Sequence, residues 1–283
     1  MVSTTMRSMP DRPTVPVIPA AVIDAFSLRG VAVPLPGGEG HSVRVGAAVL
    51  KPVENGAETT WASELLSSVE ESGFRLARPV KASDGRWVVD GWSASRFVDG
   101  EVGPGGRWAE LLSAARALHA ALRSAAQPTF LAGRTHRWAI ADRVAWGEAR
   151  VEPLPEVAPL LSRLEAALRP VTSPCQLVHG DLSGNVLFAD AQLLAIIDFS
   201  PYWRPASYAD AIVAVDGLLW FDAGRDVLEL AWSSQDFPQM LLRALIFRLV
   251  AFNEAARGAA DEVLDELTRF KTVVSCVVTP AGG

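Results

Sequence analysis

The segment from residue 176 to residue 200 constrains this chain more than any other. Leu177 and Val178 end an apolar strand and deliver His179, Gly180 and Asp181 into a loop. Asn185 follows, Val186 to Phe188 resume a strand, a short polar turn reverses the chain, and Leu193 to Ile197 return to place Asp198 at the strand end. A hairpin of this kind brings Asp181, Asn185 and Asp198 to one end. Three hard oxygen donors meeting there suit Mg²⁺, which takes one or two carboxylates and completes its shell with phosphate oxygens and water. Taken singly, each piece is an ordinary turn or strand end, and only their conjunction points to chemistry.

The rest of the chain supplies a scaffold large enough for such a site. Its 283 residues are 49% hydrophobic and 20% charged, a globular profile with material for one large domain or two modest ones. The formal charge of −6 includes no block of Lys or Arg, which argues against a nucleic-acid groove or an anionic membrane surface. Pro10, Pro13, Pro16 and Pro19 interrupt any signal-peptide stretch, and Arg243 and Arg248 break the most apolar helical run, so a cytoplasmic protein is expected. Cys175 and Cys276 are too few for a disulfide scaffold or a four-cysteine zinc site and read as inert core thiols.

The patterning divides the chain near residue 100. After a Pro-rich arm and a short helix over Ala20 to Phe26, strand signals dominate, with turns at residues 36–40 and at Ser83-Asp84-Gly85. Between those turns a helix is predicted over Thr60 to Ser72, with Gly73 as its stop. Beyond a Gly-rich linker at 102–106, Trp108, Leu111, Leu112, Ala115, Leu118 and Leu122 line one face of a long helix. Helical patterns recur over 154–168, 208–221, 240–257 and 261–278. The expectation is an α+β chain, with a small β-rich N-terminal lobe over residues 1–100 and a larger, mainly α-helical C-terminal lobe over 101–283.

His179-Gly180-Asp181-Leu182-Ser183-Gly184-Asn185, with Asp198-Phe199-Ser200 thirteen residues on, resembles the catalytic loop and metal-binding turn of the aminoglycoside phosphotransferase and choline kinase family. Three residues separate Asp181 from Asn185, where eukaryotic protein kinases have four. The shorter interval is the one shown by this group of small-molecule kinases. The resemblance implies a protein-kinase-like two-lobe fold, with ATP and Mg²⁺ as cofactors. In that family the position of Asp181 orients the acceptor hydroxyl and takes its proton, and the positions of Asn185 and Asp198 hold the metals on the ATP phosphates. His179 reads as a residue that bonds the loop backbone.

The same resemblance asks the small lobe for a phosphate-covering loop, a lysine and a helical acid. Gly37, Gly38, Gly40 and Ser42 lie in a turn between strands, where backbone N–H groups can approach phosphate oxygens. Lys51 ends the next strand, one of only three lysines among 26 basic residues, and a compact ammonium serves there where a planar fork would not. Glu64 is the favoured partner for it, with Glu58, Glu70 and Glu71 as competitors. Phe97 and Val98 stand where the family's hinge meets the adenine edge. The resemblance spans residues 36–210, although only 176–200 is specific.

Asp198 is followed by a short Pro-bounded segment and then a helix, which leaves no room for a protein kinase's long activation segment and points to a small-molecule acceptor; the resemblance implies a sugar-like compound, an amino alcohol or an antibiotic. Trp138, Trp146, Trp203 and Trp220, with Asp142 among them, offer rings and a carboxylate for such a compound, although most tryptophans in any chain are core. Trp203 and Arg204 read either as a ring face and donor fork in the acceptor wall or as a core plug between Pro201 and Pro205. Asp210 reads as a brace for the catalytic loop. A nucleotide-binding pseudokinase is the alternative function, and the joint presence of Lys51, Asp181, Asn185 and Asp198 favours the enzyme.

Overall fold

The computed structural model describes residues 17–35, 41–257 and 263–278. The chain forms two compact units, one made of residues up to 69 together with 76–99, the other of 70–75 together with residues from 100 onward. The second therefore takes in a short excursion, 70–75, that a single division near residue 100 does not anticipate.

The first unit opens with helix α1 (Ala20–Ala25), which Pro19 starts. Strands β1 (Ala32–Pro34), β2 (Val43–Val45) and β3 (Ala48–Pro52) follow, then helix α2 (Gly56–Ser68). Strand β4 (Arg75–Leu76) falls where the units divide, and β5 (Pro79–Val80), β6 (Val88–Val89) and β7 (Trp92–Arg96) complete this part of the chain. The sheet runs in the order β1-β2-β3-β7-β5, with β6 also on β7. Alternation sorts its faces: Val43, Val45, Leu50, Trp92 and Ala94 join Val22 of α1 and Phe26 just after it in one core. Lys51 stands opposite Ser93 in the β3–β7 register.

Two details differ from the sequence expectation. Helix α2 begins four residues early because Asn55 caps it, its side chain accepting from the Glu58 N–H. It also ends early, at Val69, because the Arg78 guanidinium takes the carbonyls of Leu66, Ser67 and Val69. The stretch 86–98 is a hairpin: Asp90 and Gly91 both adopt positive φ, the requirement of a tight two-residue turn.

The second unit contains β8 (Glu101–Val102), α3 (Trp108–Ala121), a 3₁₀ turn over Thr129–Gly133, α4 (Arg137–Ala145) and α5 (Ala158–Ala166). Four strands follow: β9 (Gln176–His179), β10 (Val186–Phe188), β11 (Ala195–Ile196) and β12 (Pro201–Arg204). Helices α6 (Ala206–Trp220), α7 (Asp226–Ala231), α8 (Phe237–Ala256) and α9 (Val263–Val278) close the chain. All six apolar positions expected on one face of α3 are buried. Helix α8 is buried along most of its length, Arg243 and Arg248 included. Cys175 is exposed and Cys276 half-buried, so neither is the core thiol expected; both are free. Among the described residues no helix is long and apolar enough to cross a membrane.

Candidate active site

Two strand pairings in the second unit gather the site. Strand β10 pairs antiparallel with β11, and just beyond the pairing the Ile197 N–H donates to the Asn185 carbonyl at 2.9 Å. This puts Asn185 beside the residue that precedes Asp198. Strand β12 pairs with β9, with Pro201 opposite His179, and the Gly180 N–H donates to the Ser200 carbonyl at 3.0 Å. Gly180 is required at this crossing, since a Cβ there would meet the Tyr202 ring at 2.4 Å. Asp198 sits between the two pairings with φ +49°, a left-handed conformation that Asp tolerates better than most residues and that recurs at functional turns.

His179 is the internal tie of the loop. It is buried, its Nδ1 accepts from the Asp181 N–H at 3.2 Å, and its Nε2 lies 3.2 Å from the Ile197 carbonyl. These partners fix the neutral tautomer with the proton on Nε2. Burial pushes its pKa down, against the pull of the Asp181 and Asp198 carboxylates. His119 of α3 supports it from below, its Nε2 accepting from the His179 N–H at 3.1 Å. Burial pushes His119 down to about 3. The backbone-bonding role expected of His179 is thus the geometry found.

The Asp181 carboxylate is half-exposed and held at both oxygens. Asn185 Nδ2 donates to Oδ2 at 3.0 Å and also to the Asp181 carbonyl at 2.7 Å, while Arg248 of α8 donates to Oδ1 at 2.9 Å. Each oxygen keeps a lone pair, so the group can still accept from a ligand hydroxyl. Because the Asn185 amide spends its N–H₂ on Asp181, its Oδ1 remains as an acceptor for a cation. Among the described residues no group of three or more His, Cys, Asp and Glu side chains is gathered for a metal. The Asn185 amide oxygen and the exposed Asp198 carboxylate are donors of the kind Mg²⁺ takes when phosphate oxygens and water complete its shell.

Other expected site residues lie elsewhere or are already engaged. Arg204, at the end of β12, donates to both oxygens of Asp142 on α4 and to both oxygens of Glu148, at 2.6 to 3.3 Å. Its guanidinium also lies over Trp146, 4.8 Å from the ring centre. The donor fork and the carboxylate expected in the acceptor wall are therefore spent on each other, and Trp146 is spent with them. Asp210 does not brace the catalytic loop: it pairs with Arg116 of α3 at 3.0 Å. The brace is Arg248, backed by Asp216 of α6 at 2.6 Å. In the sequence Arg248 registers only as a break in an apolar run, and Asp216 carries no signal. Trp203 is half-buried on β12 opposite Leu177.

In the first unit, Lys51 is half-buried on β3 and Glu64 is exposed on α2, whose buried side chain is that of Ser63. Glu64 thus does not turn inward as expected. The Phe97 N–H is committed to the Ala47 carbonyl at 2.8 Å, and its ring lies under the Arg44 guanidinium. That removes the Phe97 N–H as an adenine donor. Ser42 is half-buried just before β2. Gly37, Gly38 and Gly40 lie outside the described residues.

A loop that presents a hydrogen-bonded carboxylate, an amide oxygen four residues on, and a second carboxylate at the end of the next hairpin is the arrangement of kinase-type phosphoryl transfer. Residues 33–232 match the family model of the phosphotransferase enzyme family, APH, and the chain belongs to that family. It is a phosphotransferase with the protein-kinase-like α+β fold. Solved structures similar to it include the choline kinase LicA from Streptococcus pneumoniae, at TM-score 0.60 and 13% identity over 91% of this chain and 96% of that one. An aminoglycoside phosphotransferase from Alicyclobacillus acidocaldarius gives TM-score 0.57 and 18% identity over 95% of each chain. A spectinomycin phosphotransferase in complex with ADP and spectinomycin gives 0.57 and 14%, over 93% and 98%. A search of curated proteins returned no match.

Proposed function

We propose that this chain transfers the γ-phosphoryl group of ATP, with Mg²⁺, to a hydroxyl of a small molecule. The observation that carries the reading is the convergence of Asp181, Asn185 and Asp198, tied by the Asn185–Ile197 and Gly180–Ser200 backbone bonds. ADP in the similar spectinomycin enzyme supports a nucleotide at such a site. Asp181 orients the acceptor hydroxyl and takes its proton as the oxygen attacks phosphorus. Asn185 Oδ1 and Asp198 hold Mg²⁺, which neutralises charge on the phosphate oxygens when bound. Lys51 contacts the nucleotide phosphates, the turn of Gly37, Gly38, Gly40 and Ser42 covers them, an acid of α2 supports the lysine, and the backbone at Val98 with the Phe97 carbonyl meets adenine.

The segment after Asp198 favours a small acceptor. Strand β12 starts three residues on, pairs with β9 over its four residues, and gives way to α6 at Ala206. That stretch holds no extended platform for a polypeptide. The test is a transfer screen with MgATP over sugars, amino alcohols, nucleosides and antibiotics, alongside melting measurements. ATP with Mg²⁺ is expected to raise Tm and at least one hydroxyl compound to gain phosphate. No stabilisation at millimolar nucleotide, with no transfer to any compound, would defeat the reading.

A further inference from the structure

We propose that Arg248 is a positioning residue for the base Asp181, and that Asp216 exists to hold Arg248 for that task; the inference rests on the phosphotransferase reading above. The three side chains come from different elements. Arg248 lies on α8, Asp216 on α6, and Asp181 in the loop after β9, 67 residues from Arg248 in the chain. Arg248 and Asp216 are each only 3% exposed, while the Asp181 side chain is 47% exposed. The chain of charges therefore runs from the core to the reacting surface.

The guanidinium is fixed before it meets Asp181. Its Nε donates to Asp216 Oδ1 and its Nη2 to Asp216 Oδ2, both at 2.6 Å, the fork-on-carboxylate geometry that removes rotational freedom. The rings of Phe247, Trp138 and Trp220 lie 4.9, 5.3 and 5.6 Å from its Cζ and enclose it. The same Nη2 then donates its other hydrogen to Asp181 Oδ1 at 2.9 Å. With Asn185 on Oδ2, the carboxylate plane is pinned at both ends. Burial works against the Arg248 charge, but Asp216 and Asp181 outweigh it and hold the guanidinium above its ordinary pKa.

This arrangement matches the demands of the step. The acceptor oxygen forms its bond to the γ-phosphorus, its proton passes to Asp181, the bond from phosphorus to the bridging oxygen breaks, and ADP leaves with that electron pair. When Asp181 becomes neutral, Arg248 still has Asp216 as its counter-ion, so no buried charge is stranded during turnover. A core that needed only stability would be served as well by apolar side chains in place of a buried ion pair. The third contact, to a half-exposed carboxylate, is what such a replacement would lose.

The experiment compares Asp181→Asn, Arg248→Lys and the double variant Arg248→Met with Asp216→Leu, reading turnover of MgATP with an acceptor from the screen, with water as acceptor alongside, KM for ATP, and Tm. The double variant removes both buried charges, so its fold does not depend on an unpaired ion. It is expected to keep Tm within a few degrees of the wild type and KM for ATP within about twofold, while kcat falls about 100-fold. Arg248→Lys, which keeps a charge without the fork, is expected to recover part of that loss and lie about tenfold below the wild type. A folded double variant with wild-type kcat would overturn the proposal. Should the double variant fail to fold, Arg248→Lys decides: unchanged kcat and KM overturn the proposal, and a kcat loss with KM unchanged upholds it. Equal turnover by wild type and Asp181→Asn would instead overturn the reading of Asp181 as the base, and the inference with it.

Discussion

Two arginines in the second unit are built alike. Arg204 holds Asp142 and Glu148 with its ring neighbour Trp146, and Arg248 holds Asp216 and Asp181 with its ring neighbour Trp138. In each, a buried Asp fixes the guanidinium and a second, half-exposed carboxylate completes the set; Glu148 is 48% exposed and Asp181 47%. The difference lies in what else the outer carboxylate touches. Glu148 ends a helix-to-strand tie, whereas Asp181 shares its other oxygen with Asn185 in the loop that also carries the metal-type donors. Under the proposal above, the same local chemistry is structural in one place and positions the base in the other, and the outer carboxylate's surroundings separate the two.

The sharpest way to break the comparison is at those outer carboxylates. Asp181→Asn is expected to lower kcat by about 10³-fold with KM for ATP nearly unchanged, because proton acceptance is lost while nucleotide contacts stay. Glu148→Gln is expected to leave kcat within about twofold. Steady-state kinetics on both variants check the pair, and equal losses would show that the two networks do not differ in role. Asp198→Ala extends the test, with loss of Mg²⁺-dependent stabilisation by ATP expected in a melting assay.

Next in size is stability. Arg204→Met leaves Asp142 buried without its partner, and breaking a buried pair from one side costs about 3–5 kcal/mol. A fall in Tm of roughly 10 °C is expected, with the kcat of the folded fraction unchanged. Asp142 already has its carboxyl pushed upward by burial, against the opposing pull of Arg204, so loss of the arginine favours its neutral form further. A loss of kcat without a loss of Tm would place Arg204 in the acceptor wall after all.

What the sequence reveals follows the range of the contacts involved. The β10–β11 hairpin and the spacing of Asp181, Asn185 and Asp198 are local, and a run such as Val186 to Phe188 signals them directly. Strand β12 was missed because Pro201 and Pro205 hide its pattern, although an X–Pro boundary is compatible with the first residue of an edge strand. Helix α4 was missed because Arg137, Asp142 and Arg143 interrupt its apolar positions, and two of them are committed to partners outside the helix. The Arg78 cap on α2 and the Arg248 contact to Asp181 are tertiary and leave no periodic trace. Arginine in an apolar helix was itself a usable signal, since a buried guanidinium demands a carboxylate partner.

A smaller effect separates the loop's support from its chemistry. His119 is buried and held down to about 3, far below the unfolded value near 6.5, so the unfolded chain binds the extra proton between those limits. Stability from this group is fully present above about pH 6.5 and is lost as pH falls towards 3. At pH 5 the expected loss is about 2 kcal/mol, with a further contribution of the same sign from His179, whose pKa is also lowered. Chemical denaturation of wild type and His119→Gln at pH 7 and pH 5 checks it: the variant should show the weaker pH dependence, and equal slopes would locate the acid sensitivity elsewhere.

The smallest expected effect lies in the first unit, at Glu64. If Glu64 is to support Lys51 when phosphate binds, its exposed carboxylate would give up solvent to do so. An exposed ion pair contributes less than about 1 kcal/mol, too little to order a lysine as the buried Asp216 orders Arg248. Glu64→Gln is therefore expected to change KM for ATP by less than about threefold, while Lys51→Ala raises it by tenfold or more. Equal rises in the two variants would show that Glu64 turns inward once nucleotide is bound.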